Sequence, residues 1–209
     1  AQEIWRDVEH LIRQTIKKNK LRPSQIISIG ITNQRETTVL WNKKTGKPIH
    51  KAIVWQDRRT ADYCDQLKLK KKDKIIQKIT GLVLDPYFSA TKIKWILDKI
   101  SKNNKNQITD ILFGTIDTWL LWKLTEGKSH YTDITNASRT MIFDSNKEEW
   151  SKELLKLFNI NKSLLPEVKE NAFNFGSTKL FGGNIVIGGM AGDQQAATIG
   201  QACFNTGQS

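Results

Sequence analysis

One feature of the sequence constrains the fold most strongly. It is a short apolar segment that is followed directly by a cluster of polar side chains. Residues 26–29 begin a predicted buried strand over 26–32, and polar side chains follow it from Asn33 to Glu36. In open α/β sheets, ligands bind outside the carboxyl ends of the strands. Arg35 supplies only hydrogen-bond donors and the Glu36 carboxylate only acceptors, a pairing that suits a small polyhydroxylated ligand. A solvated ion pair that closes a turn is the alternative, since charged side chains are mostly exposed.

Alternating strand and helix patterns predict an α/β fold with a mixed sheet. The chain has 209 residues, enough for one sizeable domain or slightly more. Helical periodicity predicts helices over residues 3–18, 58–72, 90–102, 117–124, 150–158 and 193–201. Short apolar runs predict strands over residues 26–32, 37–41, 52–55, 108–114 and 184–189. Asp117 is placed to cap the helix that begins there.

An excess of basic residues, 33 Lys and Arg against 21 Asp and Glu, gives the chain a net charge of +12. Such a charge raises the question of nucleic acid. The lysines fall into separate patches at expected helix ends or connections, over residues 17–20, 68–74 and 99–105. Cations at helix C-termini are favoured by the helix dipole. We therefore expect a solvated basic surface, with a nucleic-acid-binding protein as the alternative from another class.

The cysteines and histidines form no recognisable catalytic or metal-binding pattern. Cys64 and Cys203 are far apart and have no His at ligand spacing, so we expect reduced thiols in a cytoplasmic protein and no metal site. His10, His50 and His130 are scattered, and we expect them at the surface, away from any candidate acid or serine. No apolar run approaches the length of a membrane-spanning helix.

A second candidate site follows the predicted strand over residues 184–189. Small residues lead from Gly188 to Asp193, which stands at the start of a predicted helix. Small side chains let a ligand approach the backbone closely, and a carboxylate at a helix N-terminus is favoured by the dipole. Asp193 is therefore a candidate general base that takes a proton from a substrate hydroxyl. The alternative is an ordinary helix cap.

Two aromatic residues are further candidates for the site. Trp55 ends a predicted strand and offers an apolar wall to the carbon backbone of a polyol, although an isolated aromatic is more often a core residue. Tyr87 follows Asp85 and Pro86, a rigid turn that could present its hydroxyl; a packed loop aromatic is the alternative. We expect Phe88 only to pack.

Six runs, in order along nearly the whole chain, resemble the FGGY carbohydrate kinase family. They are GITNQRETT (30–38), AIVWQDRRT (52–60), DPYFSATKIKW (85–95), GTIDTWLLW (114–122), TDITNASRT (132–140) and AGDQQA (191–196). The first two are similar to members of the family that phosphorylate glycerol. Six ordered matches are far more specific than any one of them.

The resemblance implies a two-domain, actin/hexokinase-like fold built on ribonuclease-H-like sheets, of which this chain carries most of the first domain. It also implies transfer of the γ-phosphate of ATP, with Mg²⁺, to a terminal hydroxyl of glycerol, giving sn-glycerol 3-phosphate. By position, Asp193 matches the catalytic base and Trp55 an aromatic wall. The substrate-binding residues that the resemblance implies are Arg35, Glu36, Trp55, Tyr87, Asp193 and Gln194.

The resemblance also implies where the domains of the protein begin and end. Residues 1–200 are expected to form a partial N-terminal glycerol-binding domain, and residues 201–209 to begin the hinge to a C-terminal nucleotide-binding domain. The family's Asp-x-Gly-Thr-Thr-Ser hairpin, which contacts ATP, and its C-terminal half find no match here. We therefore expect an incomplete, inactive and poorly folding piece of a longer enzyme. Its strand over 26–32 would lack the partner that the hairpin supplies, and a bare strand edge invites aggregation.

The resemblance implies partners as well, and other functions stay open beside it. The expected partners are glycerol and ATP, with no nucleic acid and no membrane span, and the full-length protein is expected to be a homo-oligomer. A kinase for another polyol or for a ketose is the alternative within the family. A non-catalytic remnant and a basic nucleic-acid-binding protein are the alternatives outside it.

Overall fold

Helices and strands alternate along the computed structural model, which describes residues 1–103 and 110–208. The helices are α1 (Gln2–Lys18), α2 (Ala61–Leu69), α3 (Asp73–Thr80), α4 (Ser89–Asn103), α5 (Ile116–Leu124), α6 (Ile134–Ala137), α7 (Lys152–Phe158) and α8 (Asp193–Gly200). The strands are β1 (Ser28–Asn33), β2 (Val39–Asn42), β3 (Ile111–Gly114), β4 (Tyr131–Asp133), β5 (Phe143–Asp144), β6 (Glu149–Trp150), β7 (Glu167–Lys169), β8 (Gly176–Thr178) and β9 (Ile185–Gly192). Parallel and antiparallel pairs both occur, so the predicted α/β class with a mixed sheet is confirmed.

The main sheet joins two strands that lie far apart in the sequence. β1 pairs in parallel with β9, and Asn33 lies opposite Gly192 at their carboxyl ends. β8 pairs with the other side of β9 in the antiparallel sense. Among the described residues no strand pairs with the outer side of β1, so β1 is an edge strand. Because β1 and β9 are parallel, the residues that follow them meet at one edge of the sheet.

A two-stranded sheet separates two hydrophobic cores. β2 and β3 pair in the antiparallel sense, and the side chains of a strand alternate between its two faces. Val39 and Trp41 therefore enter one core, and Leu40 enters the other. The sheet core also contains Trp5, Ile31, Leu112, Trp119 and Ile187. The helical core also contains Ile53, Ile76, Phe88, Ile93, Phe113 and Phe158.

The predicted strand over residues 52–55 is wrong, because only one of its residues pairs. Ile53 exchanges two backbone hydrogen bonds with Thr38, of 2.9 and 3.0 Å, as an isolated bridge. The chain turns directly afterwards, where the Asp57 amide donates to the Val54 carbonyl at 3.1 Å. Trp55 therefore lies on a turn rather than at the end of a strand.

The predicted helix over residues 58–72 is shorter than expected and is followed by a second helix. α2 ends at Leu69, and Lys71 then adopts a positive φ of 54°. The Lys72 amide donates to the Leu67 carbonyl at 3.0 Å, which closes the end of α2. α3 begins at Asp73, a boundary that the continuous run of lysines conceals.

Two further predicted boundaries shift by a few residues. Trp150 does not begin a helix but lies in β6, opposite Phe143. α7 begins at Lys152, and the Ser151 hydroxyl caps it by accepting from the Leu154 amide at 3.3 Å. The predicted strand over 108–114 corresponds to β3, and its first two residues lie outside the described part of the chain.

Asp117 does not cap α5, contrary to the prediction. Thr115 is the cap residue, and Asp117 is fully buried in the first turn. Its carboxylate accepts hydrogen bonds from the hydroxyls of Thr115, Thr132 (2.7 Å) and Thr118 (3.2 Å). Burial raises the pKa of Asp117 to about 6, and the charge of Asp133 acts in the same direction. Asn33 Nδ2 also donates to Asp117 Oδ1, at 3.4 Å, so four internal donors satisfy the carboxylate, which explains why it points inwards.

The expectation that all three histidines lie at the surface is wrong for His130. Its ring packs against both Trp41 and Trp122, with centroids 5.6 and 6.0 Å away, and its Nε2 lies 2.9 Å from the Phe113 carbonyl oxygen. Burial lowers the pKa of His130 to about 4. His50 is half-buried, and His10 is exposed as expected.

The basic patches lie largely where the sequence predicts. Residues 17–20 cover the end of α1, and residues 68–74 connect α2 to α3. Part of the third patch, 99–105, lies outside the described residues. Both cysteines are unpaired thiols. Of the helices described, none combines the length and the apolar character that crossing a membrane requires.

Candidate functional site

The two candidate strand ends converge, as the parallel pairing of β1 and β9 requires. Arg35 and Glu36 follow β1, while Asp193 and Gln194 begin α8 directly after β9. The guanidinium of Arg35 spans the gap between them. Its Nη2 donates to Gln194 Oε1 at 2.5 Å, and its Nε lies 3.2 Å from Asp193 Oδ1. The structure therefore brings these four predicted residues together at one edge of the sheet.

Arg35 is buried, in disagreement with the alternative of a solvated ion pair. Only 7% of the residue is exposed, and Nη1 donates to Gln195 Oε1 at 3.3 Å. Its Nε–H is not directed at the Asp193 carboxylate, and no described residue accepts a hydrogen bond from it. A buried donor without an acceptor costs free energy. The fold thus leaves the Nε–H of Arg35 both buried and unpaired among the described residues.

Gly192 makes room for Arg35. A Cβ at this position would lie 2.4 Å from Arg35 Cδ, a distance that no packed structure tolerates. The backbone of Gly192, with φ −61° and ψ 155°, is one that any residue adopts, so the requirement is for space alone. The small residues predict that a ligand approaches the backbone here, whereas at Gly192 the side chain of Arg35 occupies the space.

Glu36 is a buried carboxylate on an unusual backbone. Its φ is +63°, which is rare for a residue with a side chain, and 2% of the residue is exposed. Arg139, in the turn after α6, donates from Nε to Glu36 Oε1 at 2.7 Å. Ser89, at the start of α4, donates its hydroxyl to the Glu36 carbonyl at 3.0 Å. Such strained conformations persist where the surrounding contacts fix them, and they cluster at functional sites.

Opposing effects act on the protonation of Glu36. Burial raises the pKa of Glu36, because a carboxylate loses its hydration inside a protein. The hydrogen bond from Arg139 lowers it, as do the positive charges of Arg139 and Arg35, while the negative charge of Asp193 raises it. The charge of Glu36 thus depends on the two arginines that flank it.

Trp55 and Tyr87 form an aromatic pair, with ring centroids 5.3 Å apart. Both residues are half-buried, whereas Phe88 is buried in the helical core, as expected. The guanidinium carbon of Arg139 lies 5.8 Å from the Tyr87 ring centroid and 5.0 Å from that of Phe88. Through Arg139, the aromatic wall is therefore joined to Glu36.

A buried lysine fixes the turn that carries the wall. Lys92 in α4 is 0% exposed, and its Nζ donates to the Tyr87 carbonyl at 2.5 Å. Burial lowers the pKa of Lys92 to about 8, while the charges of Glu36, Asp57 and Asp85 act against this effect. The same ammonium thus holds the backbone of Tyr87 and interacts electrostatically with the negative residues around the site.

A network of polar side chains joins the ends of β1 and β9. The Thr135 hydroxyl accepts from the Gly192 amide at 2.7 Å and donates to the Asp133 carboxylate. Asn136 donates to Asp133 at 2.7 Å and exchanges hydrogen bonds of 2.9 and 3.1 Å with Asn33, the last residue of β1. The network fixes the position of the residue that precedes Asp193 relative to the end of β1.

Sequence reasoning missed three residues that shape this site, namely Lys92, Thr135 and Arg139. All three lie inside the runs over 85–95 and 132–140 that carry the family resemblance. The spacing of these residues in the sequence does not identify them as part of a site, because their roles depend on partners far along the chain. Arg139, for example, lies 103 positions from Glu36.

The arrangement suits the binding and deprotonation of a hydroxyl. Arg35 offers a donor and Glu36 an acceptor, which are the two partners that an alcohol requires. The side chain of Asp193 is 55% exposed and lies beside the Arg35 guanidinium, where it can take a proton. Among the described residues no three His, Cys, Asp or Glu side chains cluster so as to hold a metal ion.

Comparison with known proteins places the whole chain in one family. The model of the N-terminal domain of the FGGY family of carbohydrate kinases matches residues 1–200. The glycerol kinase of Gluconobacter oxydans is 53% identical over 212 residues, which cover 100% of this chain and 41% of that protein. The glycerol kinase of Clostridium botulinum is 54% identical over 210 residues, covering 99% of this chain and 42% of that protein. The chain thus spans about two fifths of the length of these relatives.

Solved structures share the fold. The crystal structure of Plasmodium falciparum glycerol kinase with ADP matches with a TM-score of 0.87 at 41% identity, over 96% of this chain and 41% of that chain. A xylulose kinase from Lactobacillus acidophilus matches with a TM-score of 0.75 at 21% identity, over 95% of this chain and 40% of that chain, which shows the fold alone. The predicted actin/hexokinase-like class is confirmed. The chain belongs to the FGGY family of carbohydrate kinases.

Proposed function

We propose that the protein containing this chain is an ATP-dependent glycerol kinase that produces sn-glycerol 3-phosphate. One observation carries the proposal: the donor Arg35, the acceptor Glu36 and the exposed carboxylate of Asp193 meet at one sheet edge. The glycerol kinases that are 53% and 54% identical to the chain support the same substrate.

In the proposed complex each side chain has a separate role. Arg35 donates to the hydroxyl oxygens of glycerol, and the ionised Glu36 accepts from their protons. Gln194, already bonded to Arg35, and the Tyr87 hydroxyl add further polar contacts. Trp55 and Tyr87 pack against the carbon backbone, for which their half-buried rings provide an apolar surface. These contacts place one terminal hydroxyl beside Asp193.

Phosphoryl transfer then requires one proton to move. The terminal hydroxyl donates its proton to the Asp193 carboxylate as its oxygen bonds to the γ-phosphorus of ATP. The bond from that phosphorus to the β–γ bridging oxygen breaks, and ADP leaves with the electron pair. Because the transition state is loose, positioning and charge stabilisation supply most of the catalysis.

ATP and Mg²⁺ belong to this proposal as substrate and cofactor. Mg²⁺ usually binds one or two carboxylates together with substrate phosphates, and it neutralises the charge that develops on them. No three His, Cys, Asp or Glu side chains cluster among the described residues, which agrees with a Mg²⁺ ion that is held mainly by the phosphates of ATP.

The domain boundaries, the cellular location and the oligomeric state of the protein are also proposals. We assign residues 1–200 to an N-terminal glycerol-binding domain and residues 201–209 to the start of a hinge to a nucleotide-binding domain. The end of α8 at Gly200 agrees with that division. We further propose a cytoplasmic enzyme that forms a homo-oligomer. A nucleic-acid-binding protein is not favoured, since the resemblance to carbohydrate kinases covers the whole chain.

The test is phosphorylation by the full-length protein, with glycerol, xylulose and gluconate as competing acceptors. We expect kcat/KM to be highest for glycerol and the product to be sn-glycerol 3-phosphate. A higher kcat/KM for the ketose would contradict the assignment of Arg35, Glu36 and Trp55.

The same assay tests the base. Asp193→Asn keeps the shape of the side chain but cannot accept the proton, so kcat should fall by about two to four orders of magnitude. The KM for glycerol should change little. Asp62→Asn, which alters another exposed acid in the first turn of a helix, is the matched control. An unchanged kcat in Asp193→Asn would remove this residue from the role of base.

A further inference from the structure

We propose that Arg139 is a positioning residue that keeps Glu36 ionised and oriented as an acceptor for a neutral polyol. The proposal rests on the proposed function, since it concerns the same substrate site. It is carried by a geometry in which one guanidinium contacts both the acceptor carboxylate and the aromatic wall.

Arg139 contacts two parts of the site at once. Its Nε donates to Glu36 Oε1 at 2.7 Å, in an ion pair whose carboxylate side chain is 3% exposed. Its guanidinium carbon lies 5.0 Å from the Phe88 ring centroid and 5.8 Å from that of Tyr87. A planar guanidinium can stack on aromatic rings while its edge bonds a carboxylate, which an ammonium group cannot do.

Glu36 needs such a partner because of where the fold places it. Four charged groups face it: Arg35 from the end of β1, Lys92 from α4, Asp193 from α8, and Arg139. Lys92 donates its hydrogen bond to a backbone carbonyl, and Arg35 is bonded to glutamine side chains of α8. Arg139 is the group whose hydrogen bond to the Glu36 carboxylate the structure records.

The charge on Glu36 determines which hydrogen bonds the site can make with a ligand. An ionised carboxylate only accepts hydrogen bonds, whereas a protonated one also donates. A polyol beside Arg35 already receives a hydrogen bond, so its own proton needs an acceptor. Without the positive charge of Arg139, the buried Glu36 would bind a proton at higher pH. Substrate affinity would then be lost at a higher pH than in the wild type.

The experiment measures the KM for glycerol of the full-length protein between pH 5 and 9, in the wild type and in Arg139→Gln and Arg139→Lys. We expect the acid limb of the log(1/KM) profile to move upward by about one to three pH units in Arg139→Gln. At pH values above the acid limb of every profile, the KM values should converge. Arg139→Lys restores the charge, so its acid limb should return towards that of the wild type.

Glu36→Gln identifies the group that titrates, and its profile should lack the acid limb. An acid limb that persists in Glu36→Gln would belong to another group and would overturn the proposal. A purely structural role for Arg139 predicts that KM rises by the same factor at every pH, with the acid limb unmoved. That result, in variants whose circular dichroism matches the wild type, would also overturn it.

A second readout does not depend on activity. The carboxyl carbon of Glu36 can be followed by NMR in full-length protein labelled with ¹³C-glutamate, with Glu36→Gln providing the assignment. The pH at the midpoint of the Glu36 titration should be higher in Arg139→Gln than in the wild type. If the wild type phosphorylated no polyol, the proposed function would fail while this titration still tested the proposal. An unmoved midpoint would overturn the role of Arg139 whatever the substrate is.

Discussion

Arg35 reaches its place in the site because the residue beside it has no side chain. Its guanidinium lies against Gly192, and it bonds Gln194 and Gln195 on the far side of that glycine. Arg35 lies after the end of β1, whereas Gly192, which makes room for it, is the last residue of β9. Each is visible in the sequence, but their dependence on one another is not.

Gly192→Ala should therefore raise the KM for glycerol by displacing Arg35. A Cβ 2.4 Å from Arg35 Cδ forces that side chain to move, and a hydrogen bond to a charged group is worth about 1.5–3 kcal/mol. We expect a rise of about tenfold or more in steady-state assays of the full-length protein.

Gly189→Ala is the control for this change, because its Cβ would meet only a carbonyl oxygen at 3.8 Å, an ordinary contact, on the same strand. Its KM should stay within about twofold of the wild type. Equal effects of the two substitutions would mean that β9 tolerates no side chain, and that the contact with Arg35 is not the cause.

At the scale of elements, the start of α8 is held by a side chain from α6. The Thr135 hydroxyl accepts from the Gly192 amide at 2.7 Å and donates to Asp133. Asp193 follows directly, so the candidate base depends on a hydrogen bond made by a neighbouring helix. We therefore expect Thr135 to affect turnover although it is not one of the candidate substrate-binding residues.

Thr135→Val should lower both the free energy of unfolding and kcat. The substitution preserves shape but leaves the Gly192 amide without its acceptor, at a cost of about 1–3 kcal/mol. We expect kcat to fall because the first turn of α8 shifts, measured beside the thermal midpoint of the full-length protein.

Thr80→Val makes the same chemical change in α3, where the hydroxyl donates to the Ile76 carbonyl at 2.8 Å and accepts from the Leu82 amide at 3.1 Å. It should reduce stability and leave kcat unchanged. A fall in kcat of equal size in both variants would show a general loss of folded protein instead.

The elements themselves were predictable to different degrees. β1 and β9 follow from β-branched apolar runs, and α1 follows from its amphipathic spacing, because local pattern and tertiary role agree. The pairing of Ile53 as a single bridge depends on the turn that follows it, which no periodicity encodes. The boundary between α2 and α3 lies within lysines that suit either a helix or a turn.

In the candidate site, too, the residues that local sequence pattern predicts differ from those that only the tertiary structure reveals. Arg35, Glu36 and Asp193 were accessible because each directly follows or begins a recognisable element at a sheet edge. Arg139 and Thr135 were not, since their partners lie on other elements and only the folded chain brings them together. Whether the predicted residues bind glycerol stays a prediction.

At the scale of the whole molecule, β1 forms one of the two edges of the main sheet, opposite the edge formed by β8. No described strand covers the outer edge of β1, and Ile27, just before the strand, is 92% exposed. Unpaired backbone groups beside apolar side chains favour association between chains.

We expect the isolated 209-residue polypeptide to bind a dye for exposed apolar surface and to aggregate. A charge near the bare edge opposes such pairing, so Ile27→Lys should reduce light scattering. Val83→Lys, at a residue that is 62% exposed in the segment between α3 and α4, should have little effect. A sharp cooperative melt without dye binding would contradict the prediction.

Side chains of β2 pack in both hydrophobic cores, so the strand couples the packing of one core to that of the other. Val39 and Trp41 belong to the sheet core that contains β1, and Leu40 belongs to the helical core on which the aromatic wall rests. Neither core can loosen without disturbing packing in the other, so the two are expected to gain and lose order together. The packing of Tyr87 and Phe88 is then coupled to that of the main sheet, so covering the outer edge of β1 is expected to tighten the candidate substrate surface as well.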